Sequence, residues 1–230
     1  MQGPAADLVQ IRVGKAMNLD ASGSMGAEDP LGGPWRPWRS AIFKTPVACP
    51  RQLTRLGLAG DEVADTRHHG GPDQAVLAYA SEHYPLWQAS GLDADPGAFG
   101  ENFLLAGLTD QEACIGDVFA IGKPGGAVVQ ISHPRQPCAT LARRFQRNDV
   151  VLLVWETARG GWYLRVLQEG QVQAGDGLAL LERPNPGWSV ARVLNAFRHA
   201  KQHPEEALLA ADLSGLTGHW SSSLREKATL

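Results

Sequence analysis

The segment 117–132, DVFAIGKPGGAVVQIS, contains two short apolar runs separated by a turn. The turn is Lys123-Pro124-Gly125-Gly126, and proline and glycine between two apolar runs are typical of a loop that joins neighbouring strands. We therefore predict two short strands, at residues 117–121 and 127–132.

Short apolar runs separated by turns also occur on both sides of this segment. Trp162, Leu164 and Val166 alternate with Tyr163 and Arg165, which is the period of a half-buried strand. Strands are also predicted at residues 7–17, 40–47, 102–105, 162–168 and 177–182. Several short strands separated by turns favour an antiparallel sheet or a small barrel, so the predicted fold class is mainly β with some α.

Three helical segments interrupt the strands, at residues 73–90, 139–146 and 149–157. The first begins at Asp73, and Pro85 must kink it or split it in two. The segment 18–37 is rich in Gly, Pro, Ser and Asp and is predicted to be a loop.

The C-terminal part of the chain has a helical pattern instead. Ser189 is a candidate helix cap, Pro204 suits a first helical position, and Leu216, Trp220 and Leu224 recur every four residues. The length of 230 residues corresponds to about 1.5 domains of typical size. The predicted domains are a barrel at residues 1–184 and a three-helix extension at residues 185–230.

Composition excludes several classes of protein. Hydrophobic residues make up 43% of the chain, so it can bury a core, and a formal net charge of −3 provides no cationic surface for nucleic acid or an anionic membrane. The longest apolar run, at residues 150–155, is too short to cross a bilayer. No nucleic-acid or membrane partner is expected.

The cysteines indicate the compartment. Cys49, Cys114 and Cys138 are odd in number, widely spaced and free of CxxC or metal-finger patterns, which favours a reduced environment. Residues 1–7 lack the basic and apolar regions of a signal peptide. We expect a cytoplasmic protein in which Cys114 is a core residue and Cys49 is incidental.

The densest polar cluster lies at residues 65–73, DTRHHGGPD. His68 and His69 are followed by Gly70 and Gly71 and then by a predicted helix start, and the backbone N–H groups of such a loop can face a phosphate. The alternative is a solvated turn in which the two histidines only satisfy backbone groups.

A second cluster, residues 130–138, reads QISHPRQPC. Cys138 follows two prolines and precedes a predicted helix, and the helix dipole together with Arg135 would lower the pKa of its thiol. A thiolate is a nucleophile or a ligand for a soft metal. The alternative is a buried structural cysteine, although the polar neighbours of Cys138 are unusual for a core position.

Six motifs occur in an order that resembles the MOSC domain family and, more narrowly, its YiiM-type members, which carry a three-helix C-terminal extension. The resemblance extends from about residue 9 to residue 225. The motifs are Gly60-Asp61, His68-His69-Gly70-Gly71-Pro72-Asp73, Gly100-Glu101-Asn102, Ile115-Gly116-Asp117, Pro134-Arg135-Gln136-Pro137-Cys138 and Gly161-Trp162-Tyr163-Leu164-Arg165-Val166.

This resemblance implies a MOSC-type β-barrel with peripheral helices that binds the molybdenum cofactor, Mo-molybdopterin, with Cys138 as the thiolate ligand to the metal. It also implies reduction of N-hydroxylated compounds such as N-hydroxylated purine bases, in which the metal takes the hydroxyl oxygen and leaves the amine. The implied cofactor contacts are Lys44, His68, His69, Gly70, Gly71, Arg135 and Arg165, with Asp61, Asn102, Gln130 and Ser132 as further hydrogen-bonding groups.

The sequence departs from the family pattern near Cys138. His133 stands where relatives often have a small amide or acid, and Ala139-Thr140 replace an expected aromatic and basic pair. His133 is a candidate proton donor to the leaving water, because histidine titrates near neutral pH. The alternative is an exposed histidine at the end of a strand.

The electrons must come from outside the chain. It contains no CxxC for an iron–sulfur cluster and no GxGxxG before a helix for a nucleotide, so a flavin-containing or ferredoxin-like reductase is the expected partner of this oxidoreductase. The helical extension would dock that partner, cover the cofactor, mediate a homodimer, or simply pack against the barrel.

Two other functions remain open. One is a carrier that holds molybdopterin, or sulfur as a persulfide of Cys138, without turnover. The other is a cysteine hydrolase that uses Cys138 with His133 or His69.

Overall fold

The computed structural model describes residues 5–19, 29–33 and 36–230. The strands within these residues are β1 (Ala6–Val13), β2 (Met17–Leu19), β3 (Trp38–Ser40), β4 (Thr45–Pro46), β5 (Arg51–Thr54), β6 (Gly57–Leu58), β7 (Val76–Ala80), β8 (Phe103–Ala106), β9 (Val118–Ile121), β10 (Val128–Pro134), β11 (Trp162–Gln168), β12 (Gly170–Val172) and β13 (Gly177–Glu182). The helices are α1 (His83–Ala89), α2 (Ala139–Phe145), α3 (Val150–Thr157), α4 (Val190–Arg198), α5 (Pro204–Ala211) and α6 (Gly218–Thr229).

Seven strands close into a barrel in the order β13-β9-β10-β11-β7-β8-β1, and β1 pairs back with β13. Neighbouring strands are antiparallel except β7 and β8, which run parallel. Closure leaves no open edge in the barrel wall and encloses apolar side chains such as Leu8, Phe103 and Ile131, none of which is exposed. The predicted barrel is confirmed.

Most predicted elements lie where the sequence pattern placed them. The turn after β9 is closed by a hydrogen bond from Gly126 N–H to the Lys123 carbonyl, and Ile131 pairs with Leu164 across β10 and β11. Helices α2 and α3 coincide with the predicted segments 139–146 and 149–157 to within one residue.

The helix predicted at residues 73–90 is wrong. Residues 72–74 form one 3-10 turn, Val76–Ala80 is a barrel strand, and only His83–Ala89 is helical. All five residues of the strand are buried because the barrel covers one face and the layer of α1, α2 and α3 covers the other. A strand buried on both faces is continuously apolar and shows no alternation, so its pattern resembles that of a buried helix.

The strand predicted at residues 40–47 is also wrong in its centre. β3 ends at Ser40 and β4 begins at Thr45, and the Lys44 N–H donates to the Ile42 carbonyl in a tight turn between them. The predicted loop at 18–37 overlaps β2, which pairs with β3. Residues 29–33 form a turn, and 20–28 and 34–35 lie outside the described residues.

Three helices follow the barrel. The Ser189 hydroxyl accepts the Arg192 N–H at 3.2 Å and caps α4, and Pro204 is the first residue of α5, as predicted. Phe197, Trp220 and Leu224 belong to the same apolar cluster as the barrel interior. The division into two domains at residues 184 and 185 stays a prediction. Within the described residues, no helix has the length and apolar character needed to span a membrane.

Candidate functional site

A cavity of about 340 Å³ lies between the turn at 41–44, the loop at 61–70 and the chain that leaves β10. Its wall contains seven of the residues proposed from the sequence. They are Lys44, Asp61, His69, Gly70, Asn102, Arg135 and Cys138. Four segments of the chain therefore meet at one site, namely 41–44, 61–70, Asn102 and 135–138.

Cys138 stands in extended conformation immediately before α2, as predicted. Burial raises the pKa of its thiol, but hydrogen bonds from His69 and Thr140 and the positive charge of Arg135 outweigh burial and lower the pKa to about 6. The sulfur is therefore mostly a thiolate at neutral pH, which makes it a soft ligand or a nucleophile.

Arg135 is the least compensated charge in the cavity wall. Its side chain is 5% exposed, its Nη1 atom is buried without a hydrogen-bond partner, and the ion pairs formed by the described residues do not include it. A buried guanidinium is costly without a hydrogen-bonded counter-ion. The positive charge of Arg135 therefore acts on the Cys138 thiolate and can attract an anion in the cavity.

Lys44, unlike Arg135, forms an ion pair with a carboxylate of the protein, that of Asp61. Its ammonium lies 2.7 Å from Oδ2 of Asp61, and Asn102 Nδ2 and the Gly14 N–H also donate to this carboxylate, at 2.9 Å and 2.7 Å. Burial lowers the pKa of Lys44, and the charges of Asp61 and Glu101 oppose that effect. Lys44 and Asp61 thus form a fixed polar wall.

The loop of adjacent histidines and glycines divides between the cavity and solvent. His69 and Gly70 line the cavity, whereas His68 is exposed and its Nδ1 lies 2.9 Å from Oδ2 of Asp65. Gly70 and Gly71 have φ angles of 78° and 82°, which only glycine adopts readily. Gly71 is exposed and outside the cavity lining.

Three predicted cofactor contacts, Gln130, Ser132 and Arg165, lie outside the cavity lining and belong to the contacts between the barrel and the C-terminal segment. Ser132 Oγ donates to the Asp73 carbonyl at 2.6 Å, and the Ser132 carbonyl accepts the Thr217 N–H that begins α6. Arg165 is bound by acceptors on three segments, namely the Asp73 carboxylate, the Gln130 side chain and the Gly215 carbonyl, at 2.8, 3.0 and 3.0 Å.

His133 is outside the cavity lining as well. It is 4% exposed, its Nδ1 donates to the Pro134 carbonyl at 2.9 Å, and its ring packs against Tyr163 and Trp220. Burial lowers its pKa to about 4, so the ring is neutral at pH 7. Neither the proposed proton donor at the reaction centre nor the alternative of an exposed histidine fits this position.

Sequence reasoning missed several residues that line the cavity, including Thr140, Tyr163, Trp38 and Arg143. Tyr163 belongs to the motif Gly161–Val166, and Thr140 is one of the residues at which the sequence departs from the family pattern. The Arg143 guanidinium pairs with Asp29, whose Oδ2 it approaches to 2.9 Å, and lies over the Trp38 ring. No local signal marks such residues, because the turn at 41–44 and helix α2 meet only in the folded chain.

The other two cysteines behave as predicted. Cys114 is buried, and burial and Asp117 raise the pKa of its thiol, while Cys49 is exposed and outside the cavity. Among residues 5–19, 29–33 and 36–230, no group of three or more His, Cys, Asp or Glu side chains is arranged to hold a metal ion.

Comparison with known proteins agrees with this architecture. The crystal structure of YiiM from Geobacillus stearothermophilus superposes with a TM-score of 0.76 at 32% identity, over 97% of this chain and 99% of that chain. The protein YflK of Bacillus subtilis (strain 168) is 40% identical over 189 residues, which are 82% of this chain and 84% of that protein.

A protein named "Reductase" from Gibberella moniliformis (strain M3125 / FGSC 7600) is 35% identical over 195 residues. The match covers 83% of this chain and 32% of that protein. The model of the MOSC domain matches residues 65–179, which contain β7 to β11 and the Arg135–Cys138 segment. The chain therefore belongs to the MOSC domain family.

Proposed function

We propose that the cavity binds the molybdenum cofactor, with Cys138 as the protein ligand to molybdenum, and that the chain reduces N-hydroxylated compounds. One observation carries this proposal: a thiolate with a pKa of about 6 and a buried guanidinium with an unpartnered Nη1 line the same cavity. A soft metal ligand next to an anion receptor suits a group that carries both a metal and a phosphate.

The residues present fit such a group. Arg135 would attract the phosphate of molybdopterin, because its guanidinium carries a positive charge in the cavity wall that no ion pair of the described residues neutralises. Gly70 lines the cavity at a positive φ, where a Cβ atom would press on Val63, so only glycine fits this part of the wall. Asp61 and Asn102 would shape the wall against a pterin without binding it directly, because their polar atoms already have partners in the protein.

When bound, the cofactor supplies the two-electron chemistry that removes the hydroxyl oxygen from the substrate. The overall change is R–NHOH, two electrons and two protons to R–NH2 and water. Burial raises the pKa of Tyr163, so its phenol keeps its proton at neutral pH and can donate it as a hydrogen bond into the cavity. With His133 neutral and outside the cavity lining, His69 is the histidine that can supply a proton there.

The relative named "Reductase" supports a reductive function, although this chain spans about a third of that protein. The chain then needs an external electron donor, which we propose to be a flavin-containing or ferredoxin-like reductase.

Metal analysis tests the proposal. The full chain is produced in two strains that differ only in molybdenum-cofactor synthesis, and bound molybdenum is measured for wild type, Cys138→Ser and Cys49→Ser. We expect stoichiometric molybdenum in wild type and Cys49→Ser from the competent strain, and a large loss in Cys138→Ser. Cys49 is the matched control because it is an exposed cysteine outside the cavity.

Activity is then measured with an N-hydroxylated purine base and a chemically reduced viologen dye. Turnover that depends on cofactor synthesis supports the reductase. Molybdenum without turnover supports the carrier. Equal and negligible molybdenum in wild type and Cys138→Ser contradicts cofactor ligation by Cys138.

A further inference from the structure

A buried histidine–aspartate pair lies outside the cavity and has no part in the proposed function. His83 Nε2 is 2.6 Å from Oδ2 of Asp110, and the two side chains are 2% and 0% exposed. A buried ionisable pair is weak evidence for stability, because apolar residues of similar size often stabilise a fold equally well. The second oxygen of Asp110 has a specific partner, since Oδ1 accepts the Gly161 N–H at 2.8 Å.

Gly160 and Gly161 in turn contact the backbone of Arg135. The Gly161 carbonyl accepts the Arg135 N–H at 2.9 Å. A methyl group on Gly160 would lie 2.7 Å from the Arg135 carbonyl oxygen, and one on Gly161 would lie 2.4 Å from the Ala78 carbonyl oxygen. The two glycines thus fit closely between β7 and the chain that carries Arg135, with no room to shift.

Arg135 depends on these backbone contacts for its position. Most buried guanidinium groups are fixed by a carboxylate, but the ion pairs of the described residues do not include Arg135. Its N–H is fixed by Gly161, and the Gly161 N–H is fixed by Asp110. An unbroken chain of short contacts therefore runs from His83 to the cavity wall.

We propose that Asp110, oriented by His83, is a positioning residue that determines where the Arg135 guanidinium lies in the cavity. Asp110 touches neither the cavity nor Cys138, so it acts only through Gly161 and Arg135. The proposal does not require that the cavity bind molybdopterin, because it concerns the placement of a cation beside a thiolate.

The test compares two alkylating reagents at Cys138 in the full chain produced without cofactor synthesis. Iodoacetate is an anion and iodoacetamide is neutral, and both attack the same thiolate. The ratio of their rate constants therefore cancels the thiolate fraction and measures the attraction that a nearby cation exerts on an anion. Peptide mass spectrometry separates Cys138 from Cys49 and Cys114.

Arg135→Met removes the charge and sets the lower limit of the ratio of the iodoacetate to the iodoacetamide rate constant. We expect this ratio to be roughly 5-fold lower than in wild type. Asp110→Ala should lower the ratio most of the way to that limit. Asp117→Ala is the matched control, because Asp117 is equally buried and also binds a backbone N–H, but that N–H belongs to Cys114 and not to Gly161, the residue that binds Arg135. A merely structural loss would affect Asp110→Ala and Asp117→Ala alike.

Gly160→Ala disturbs the backbone of Arg135 without changing Asp110. It tests the proposal on its own if Asp110→Ala does not fold. It removes no polar side chain and places a methyl group 2.7 Å from the Arg135 carbonyl oxygen, which must shift. A lowered ratio supports the proposal. A wild-type ratio in folded Asp110→Ala or Gly160→Ala, or a wild-type ratio in Arg135→Met, overturns it, whatever the molybdenum content shows about the proposed function.

Discussion

Arg135 and Cys138 are separated only by Gln136 and Pro137, and both side chains line one cavity. The two prolines restrict the chain between β10 and α2, so the guanidinium and the sulfur are presented from a short rigid segment. This arrangement places a fixed positive charge beside a thiolate, which lowers the cost of keeping either charge in a partly buried site.

The thiol of Cys138 is expected to titrate at an unusually low pH. In the cofactor-free protein, the rate of alkylation by iodoacetamide should rise through about pH 6 and level off above it, because only the thiolate reacts. His69→Ala should shift the midpoint upward by removing a hydrogen bond to the sulfur. The measurement is a pH–rate profile at the Cys138 peptide. A wild-type midpoint near the ordinary value of about 8.5 would contradict the site electrostatics.

Asp61 and Lys44 are expected to be strongly coupled. Asp61→Leu alone leaves a buried ammonium without its counter-ion and should cost about 3–5 kcal/mol of unfolding free energy, whereas Asp61→Leu with Lys44→Met should cost much less than the sum of the single changes. Urea unfolding of the four proteins in this double-mutant cycle gives the coupling energy. The Lys15–Glu62 pair is a matched control, because its exposed charges should couple by less than about 1 kcal/mol. Additive effects at Asp61 and Lys44 would be inconsistent with the buried pair.

His133 is expected to contribute to acid sensitivity. Its pKa is about 4 in the folded protein and about 6.5 when unfolded, so the unfolded chain binds the proton first and stability falls between about pH 6.5 and 4. The loss is about 3 kcal/mol for this group. His133→Asn keeps a donor near the position of Nδ1, toward the Pro134 carbonyl, and should lack this component. Denaturant unfolding at pH 7 and pH 4.5 checks it, and the same pH dependence in both proteins would refute it.

Arg165 is expected to hold the C-terminal helices and not the cofactor. Arg165→Met removes hydrogen bonds to Asp73, Gln130 and Gly215 and should cost about 1–2 kcal/mol. Hydrogen exchange should quicken at residues 214–217, while molybdenum content stays unchanged. Arg225→Met, which breaks an exposed ion pair on α6, is the control. If Arg165→Met lost molybdenum and Arg225→Met did not, Arg165 would be a cofactor contact after all.

The sequence was informative wherever one face of an element is buried. The alternation at residues 162–168 is visible because β11 presents Trp162, Leu164 and Val166 inward, and the helix starts at Ser189 and Pro204 follow from capping and proline geometry, which are local. The prediction for residues 76–80 was wrong for the opposite reason. Both faces of this strand are covered, so its sequence shows no alternation of apolar and polar residues.

The candidate site follows the same division. The short motif that ends in Cys138 predicts a lowered thiol pKa from Arg135, three residues away, but the largest lowering effect comes from His69, which is distant in sequence. Arg165, Ser132 and His133 lie in equally polar motifs, yet they pack against the segment 214–220. Their partners in the segment 214–220 are more than forty residues distant in sequence. No local pattern therefore distinguishes a residue that lines the cavity from one that binds the C-terminal segment.

By itself, the sequence determined the barrel, the three terminal helices, the family resemblance and the segment Arg135–Cys138, because each depends on residue types at short spacing. Only the tertiary structure decided which polar groups share the cavity, that Lys44 is matched by Asp61 while no carboxylate of the described residues pairs with Arg135, and that Asp110 accepts the Gly161 N–H. Those properties depend on burial and on contacts between distant segments, and both arise only when the barrel closes.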